Sequence, residues 1–341
     1  MKLMKTEDAV GQVLCHDITQ IIKGVTKDAV FRKGHIITEE DIPVLLSVGK
    51  EHVYIWEKDD TMLHENEAAQ ILYEMCKNDF MHPSEVKEGK IELIADCDGL
   101  LKVDSQKLRK VNAFGEMMIA ARHGNTRIKK GDKLAGTRII PLVIKKDKME
   151  QAKDICKDGP ILTVKPFHKK RVGIITTGSE VFHGRIRDTF TPVIMEKLTE
   201  YGAETIYHEV FDDEPGKITK GCLTAIEQGA DLVICTGGMS VDPDDMTPLA
   251  IKNTGAEIVS YGAPVLPGAM FLLSYYKDNV PILGLPGCVM YAKRTIFDIV
   301  LPRIMADDKI SAEELASLGE GGLCLSCPVC SFPECGFGKG W

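Results

Sequence analysis

Arg171-Val172-Gly173-Ile174-Ile175-Thr176-Thr177-Gly178-Ser179-Glu180 and Leu232-Val233-Ile234-Cys235-Thr236-Gly237-Gly238-Met239-Ser240 decide the fold. Each begins as an apolar strand and runs into hydroxyls and glycine. Between them, Thr191 can cap a helix with Pro192 at its first position, the place where proline's missing N–H matters least. Ile194, Leu198 and Tyr201 share a face of that helix, and Gly202 stops it. Residues 205–210 read as a second strand. Pro215 opens a second helix with Ile218, Cys222, Ala225 and Ile226 on one face and Gly229 at its end. Strand, helix, strand, helix, strand at this spacing argues for parallel strands joined by right-handed crossovers. Further strands are expected at 257–261, 270–276 and 281–283, with a last helix over 291–305. The fold class is therefore read as α/β over residues 161–310, a mostly parallel sheet flanked by helices.

Working outward, residues 1–57 read as a mixed segment. Thr38 can cap a short helix from about Glu39, Gly49 ends it, and 52–56 reads as a strand. Residues 58–160 read as a small α+β or β-rich module. It opens with a helix from about Thr61 carrying Ala68, Ile71, Leu72, Met75 and Cys76 at helical spacing. Strands are expected at 91–95, 100–103 and 139–144, punctuated by Gly124, Gly131 and Gly136. Beyond the central domain, 312–318 reads as a short helix and 320–341 as a Gly-, Pro- and Cys-rich tail unable to build a core of its own.

The bulk numbers exclude some functions. With 44% hydrophobic and 27% charged residues in 341, the composition is that of an ordinary globular protein. A net charge of −8 argues against a general nucleic-acid binder, and the basic run 168–171 reads as a solvated strand entry. The first residues carry Lys2, Lys5, Glu7 and Asp8 with no apolar run behind them, so no secretory signal is expected. No membrane span is expected either, since no stretch of about 18 apolar residues occurs. Eleven cysteines in such a chain are best read as reduced thiols in the cytoplasm.

The chemistry gathers at the two strand ends. In open α/β sheets, ligands bind beyond the carboxyl ends of the strands. Glycine there lets backbone N–H groups approach a phosphate, and successive free N–H groups make an anion nest. Asp242, Asp244 and Asp245 follow the second strand. Carboxylates cannot bind phosphate directly, but they suit Mg2+, which takes oxygen ligands. A phosphate-bearing ligand held with Mg2+ is the expected chemistry, although a Gly-Gly pair after a strand is most often a plain turn. Two further glycine turns, 265–269 and 284–288, flank apolar strands, and the second opens the last helix. Such a turn is an anion site in principle and a tight connection otherwise.

Four motifs in order carry a resemblance: Thr177-Gly178-Ser179-Glu180, Gly237-Gly238-Met239-Ser240 followed by Asp245, Leu266-Pro267-Gly268, and Leu285-Pro286-Gly287. Over about 171–304 the chain resembles the molybdenum-cofactor biosynthesis domain. That domain occurs in molybdopterin molybdenumtransferases, in molybdopterin adenylyltransferases and in competence-damage-inducible proteins. The stretches 5–18, with Asp8-Ala9-Val10-Gly11 and Val13-Leu14, and 31–54 look like the molybdenumtransferase plan. The resemblance implies an enzyme that binds molybdopterin or its adenylate, releases AMP and inserts molybdate with Mg2+. It also implies a homo-oligomer and a molybdoenzyme as acceptor. By the same resemblance, Thr177, Gly178, Ser179 and Glu180 would line the pterin-phosphate pocket, and Gly237, Gly238 and Ser240 would hold phosphate. Asp245, Glu180 and Asp188 would be the catalytic acids, with Pro267-Gly268 and Pro286-Gly287 at the rim.

Several positions depart from the family pattern. The N-terminal Asp-Gly-Tyr-Ala stretch has only Asp98-Gly99 as a faint counterpart. Asp-Ser-Asn is Asp188-Thr189-Phe190, Pro-Gly-Lys-Pro is Pro267-Gly268-Ala269-Met270, and Leu-Pro-Gly-Asn-Pro is Leu285-Pro286-Gly287-Cys288-Val289. Cys288 reads either as a thiol activated by a helix start or as a small core residue. These changes leave two other functions in view: a molybdopterin carrier that serves a molybdoenzyme, and a nucleotide-pyrophosphatase-like enzyme of the competence-damage type.

The tail has its own pattern. Cys324, Cys327, Cys330 and Cys335 form C-x2-C-x2-C-x4-C. This approaches the bacterial ferredoxin run, with one extra residue in the last gap and no closing proline. A four-thiolate zinc site is equally compatible. The tail is therefore expected to bind Zn2+ or an iron–sulfur cluster.

Overall fold

The computed structural model describes residues 1–55, 59–277 and 279–340, and the chain packs into two compact units. The first comprises Met1–Ala95, Val103–Arg122 and Asp132–Thr163; the second comprises Asp96–Lys102, His123–Gly131 and Val164–Trp341. The segments 1–57 and 58–160 thus fall mainly in the first unit, and 161–310 and the tail mainly in the second.

In the first unit, Ala9, Leu14, Ile18, Ile37, Leu45, Val53 and Ile55 pack into an N-terminal core. Helix Asp41–Ser47 and strand His52–Ile55 match the reading there, and Trp56 lies outside the described residues. A four-stranded antiparallel sheet runs Met81–Pro83, Lys90–Ala95, Lys133–Ile139, Met117–Ala121. The helix expected from about Thr61 starts at Glu65, where His64 accepts a hydrogen bond from the Asn66 N–H at 3.2 Å. The strand expected over 139–144 is instead two, Lys133–Ile139 and Val143–Lys145. Pro141 stands between them and has no N–H to donate to a ladder. Helices Ser105–Asn112 and Lys146–Asp154 are additional to the reading. Both are polar and strongly charged, so apolar periodicity does not announce them.

The second unit is built on β1 (Arg171–Thr177), α1 (Ser179–Phe182), α2 (Phe190–Thr199), β2 (Glu204–Phe211), α3 (Pro215–Glu227) and β3 (Leu232–Thr236). It continues with α4 (Thr247–Asn253), β4 (Glu257–Tyr261), β5 (Leu272–Tyr276), β6 (Val280–Leu285), α5 (Ile296–Met305) and α6 (Ala312–Ser317). The strands form one sheet in the order β2-β1-β3-β6-β5-β4. The first four are parallel, β5 is antiparallel to β6, and β4 is antiparallel to β5. The class is α/β, with an antiparallel edge on a parallel sheet.

Side chains alternate across this sheet. Val172, Ile174, Leu232, Ile234 and Leu283 meet α2 through Ile194 and Leu198 and α5 through Phe297 and Val300. Ile175, Val233, Cys235 and Ile282 meet α3 through Ile218 and Cys222 and α4 through Ala250 and Ile251. Two helix starts differ from the sequence reading. Helix α2 begins at Phe190, because the Asp188 carboxylate accepts from the N–H groups of Phe190 (2.9 Å) and Thr191 (3.1 Å). Helix α5 begins at Ile296 rather than near Tyr291, since Gly287–Met290 turns as a 3-10 segment and Thr295 and Asp298 close a capping box. Among the described residues no helix is long and apolar enough to cross a membrane.

Candidate functional site

The chain leaves β1 for β2 on one side and returns through β3 on the other. The strand order therefore reverses at the β1–β3 pair, where an open α/β sheet leaves a crevice beyond its carboxyl ends. Gly237 and Gly238 end β3 at this point with φ of +82° and +57°, a backbone region natural to glycine. They also press on their neighbours. A Cβ on Gly237 would stand 2.3 Å from the Thr177 carbonyl oxygen, and one on Gly238 would stand 2.7 Å from Thr247 Oγ1. Behind the turn, Thr177 Oγ1 and Thr247 Oγ1 share a hydrogen bond of 3.1 Å. Thr236 Oγ1 is buried without a hydrogen-bond partner, one of two such side-chain atoms among the described residues.

Past the glycines, the Ser240 N–H donates to Asp245 Oδ2 at 2.9 Å, and the Tyr261 hydroxyl donates to the Met239 carbonyl at 2.9 Å. Gly237, Gly238, Ser240, Asp245, Pro286 and Gly287 line a cleft of about 450 Å³. Ala269, Met270, Cys288 and Tyr291 complete much of the wall. Asp245 is its one carboxylate among the described residues, and no lysine or arginine lines it. Six of the expected site residues are thus brought together. Ala269 and Met270, which stand where the resembled motif has lysine and proline, give the wall an apolar patch in place of that motif's cation.

The other expected residues have different surroundings. Thr177 backs the glycine turn. Ser179 gives both its N–H (2.9 Å) and its hydroxyl (2.8 Å) to Asp213 Oδ2 at the end of β2. The sequence reading did not single out Asp213, which ties Ser179 down; its place two residues past a strand, beside Asp212, is the signal that could have found it. Asp188 is committed to capping α2, with His208 Nε2 at 4.0 Å. Burial opposes ionisation of Asp188, but hydrogen bonds from Thr191 and Phe190 and the nearby His208 outweigh it and hold the carboxyl below its usual range. Phe190, standing where the motif has an amide, is buried in the core. Glu180 is exposed on α1. Gly268 packs so closely that a Cβ would lie 2.5 Å from Ile296 Cγ2, and Pro267 lines a neighbouring pocket with the tail. Cys288 sits in the 3-10 turn, and burial pushes its thiol up rather than down.

Residues 173–306 match the protein family described as "Probable molybdopterin binding domain". This stretch is a molybdenum-cofactor biosynthesis domain. Residues 3–57 match a "Domain of unknown function (DUF8806)". The chain is also similar to CinA-like proteins of Mycobacterium tuberculosis and Mycobacterium avium, at 37% and 36% identity over 90 residues. Those 90 residues are 26% of this chain and 21% of each relative, so the match spans about a fifth of their length. Among solved structures, the tungsten cofactor synthesizing protein MoaB from Pyrococcus furiosus is 22% identical, over 40% of this chain and 92% of its own (TM-score 0.35). The protein CinA from Thermoplasma acidophilum is 20% identical, over 40% of this chain and 98% of its own (TM-score 0.34).

Proposed function

We propose that the cleft beyond β1 and β3 binds molybdopterin or its adenylate, and that the chain acts in maturation of the molybdenum cofactor. The observation that carries this reading is the Gly237–Gly238 turn at the point where the strand order reverses, closed against Thr177 and Thr247 and opening into the cleft. Glycine N–H groups and the Ser240 hydroxyl would receive the phosphate, while Met270 and Tyr291 offer apolar and aromatic surface to the pterin ring. Asp245 would hold a Mg2+ ion beside the phosphate, an oxygen ligand for a cation that prefers oxygen. When bound, the ion would neutralise phosphate charge, a task for which the wall has no cationic side chain among its described residues. The reaction proposed is Mg-dependent release of AMP from the adenylate with insertion of molybdate. A homo-oligomer that serves a molybdoenzyme remains part of this proposal.

The similarity to CinA-like proteins favours a second reading, a nucleotide-pyrophosphatase-like activity at the same cleft. One experiment separates the readings: calorimetric binding of molybdopterin and of its adenylate, with and without Mg2+, followed by chromatographic detection of AMP. The expected result is tight binding of the adenylate and AMP release when molybdate is added. Binding without AMP release makes the protein a carrier, and AMP release from other nucleotide adducts without pterin supports the second reading. Failure to bind either pterin ligand sinks the proposal.

A further inference from the structure

The C-terminal segment carries a second arrangement that does not depend on the pterin reading. Both of its ends are tied down. Leu266 N–H donates to the Gly322 carbonyl and Cys324 N–H to the Leu266 carbonyl, each at 2.8 Å, so the segment enters beside the Leu266-Pro267-Gly268 loop. At the far end Phe337 is buried in the core of the second unit, and the Gly338 N–H donates to the Gly321 carbonyl at 3.0 Å. The Arg294 guanidinium lies 5.2 Å from the centre of the Phe332 ring. Between these anchors the chain has no helix and no strand, and it holds Leu325 (77% exposed) and Val329 (84% exposed) out to water. A loop that buries so little has nothing of its own to order it.

Cys324, Cys327, Cys330 and Cys335 all line one pocket of about 620 Å³. We propose that these four thiols are the ligands of one thiolate-bound metal centre, a zinc ion or an iron–sulfur cluster, that draws the loop together against the molybdenum-cofactor domain. Thiolate ligation by four cysteines is the chemistry shared by both centres. It leaves net negative charge on either of them, and the same pocket supplies the complement, since Lys293 and Arg294 line it. The sulfurs stand around the pocket without converging, and among the described residues no group of three or more His, Cys, Asp or Glu side chains is arranged to hold an ion. Loading therefore requires the exposed Cys327 and Cys330 to move inward, which couples metal binding to ordering of the loop. Tyr291 lines both this pocket and the glycine cleft, so the centre would stiffen one wall of the candidate site.

The test uses the full chain purified without oxygen. Zinc, iron and acid-labile sulfide are measured as isolated, and metal-free protein is then titrated with Co2+ alone or with Fe2+ plus sulfide. A single centre per chain is expected, seen either as thiolate-to-Co2+ charge transfer that Zn2+ displaces or as iron with matching sulfide. The double variant Cys327→Ser/Cys330→Ser, altered only at exposed positions, loses the centre, whereas Cys97→Ser/Cys156→Ser keeps it. Amide hydrogen exchange over 325–331 slows on loading in the parent chain and not in the first variant. A full chain that takes up neither probe through thiolates, or a centre that survives loss of Cys327 and Cys330, overturns the proposal.

Discussion

At the scale of single residues, the cleft turns on Asp245 and the glycines before it. The glycines are visible in the sequence as possible phosphate contacts, but their contacts show a second requirement: any side chain at 237 would collide with the Thr177 carbonyl. Asp245 is visible as an acidic residue and no more. The structure adds that it holds the Ser240 N–H, so it shapes the loop as well as charging it. Asp245→Asn separates the two tasks, because an amide oxygen can still accept from Ser240 while the charge that would hold Mg2+ is gone. The expected outcome is loss of Mg-dependent turnover with stability within about 0.5 kcal/mol of the parent, read by AMP release and urea denaturation. Unchanged turnover would remove Asp245 from the site. Asp213 shows why the rest was not legible: its partner Ser179 follows another strand, and only the sheet brings the two strand ends together.

At the scale of elements, the strands of the second unit were readable because apolar runs closed by glycine are local signals. Helix starts were less so. Thr191 and Pro192 look like a cap and a first position, yet Asp188 caps α2 two residues before Phe190 and places Thr191 and Pro192 inside the first turn. The aspartate assigned a catalytic role by resemblance thus also holds the start of a helix. Asp188→Ala should destabilise the protein by about 1 kcal/mol, the usual worth of an N-cap side chain, measured as a lowered urea midpoint with unchanged slope. A midpoint equal to the parent's would mean that α2 does not depend on this cap. Helix α5 carries its own signature, Thr295 three residues before Asp298, which marks its start more reliably than the apolar residues around Tyr291.

At the scale of the whole molecule, distant stretches meet inside the second unit. Asp308, almost fully buried, accepts from Lys102 (2.9 Å), Lys165 (2.6 Å) and Arg303 (2.6 Å). Burial disfavours its charge, but the hydrogen bonds from Lys102 and Lys165 and the Arg303 charge prevail and lower the carboxyl to about 2. Lys102 itself is pulled below the usual lysine value, since burial outweighs its share of a carboxylate divided among three cations. A carboxylate lowered in the folded state stabilises above its unfolded value and loses that stabilisation as pH falls toward the folded one. The acid-sensitive contribution is about 2 kcal/mol, lost from about pH 4 down toward pH 2. Asp308→Asn should cost about 3 kcal/mol at neutral pH, because three cations would face an uncharged group, and should flatten this acid limb. Denaturant melts at neutral and acid pH check both, and a variant as stable as the parent at neutral pH would show that the network adds nothing. No periodicity or spacing ties Lys102 to Asp308. The α/β class, most of the strands and the glycine turns that open the cleft were written in short stretches of chain, because apolar period and backbone freedom are local properties. Which groups face that cleft, which acid caps a helix and which cysteines share a pocket came only with the folded arrangement. Those follow from strand order and side-chain packing, which join residues that no local pattern connects.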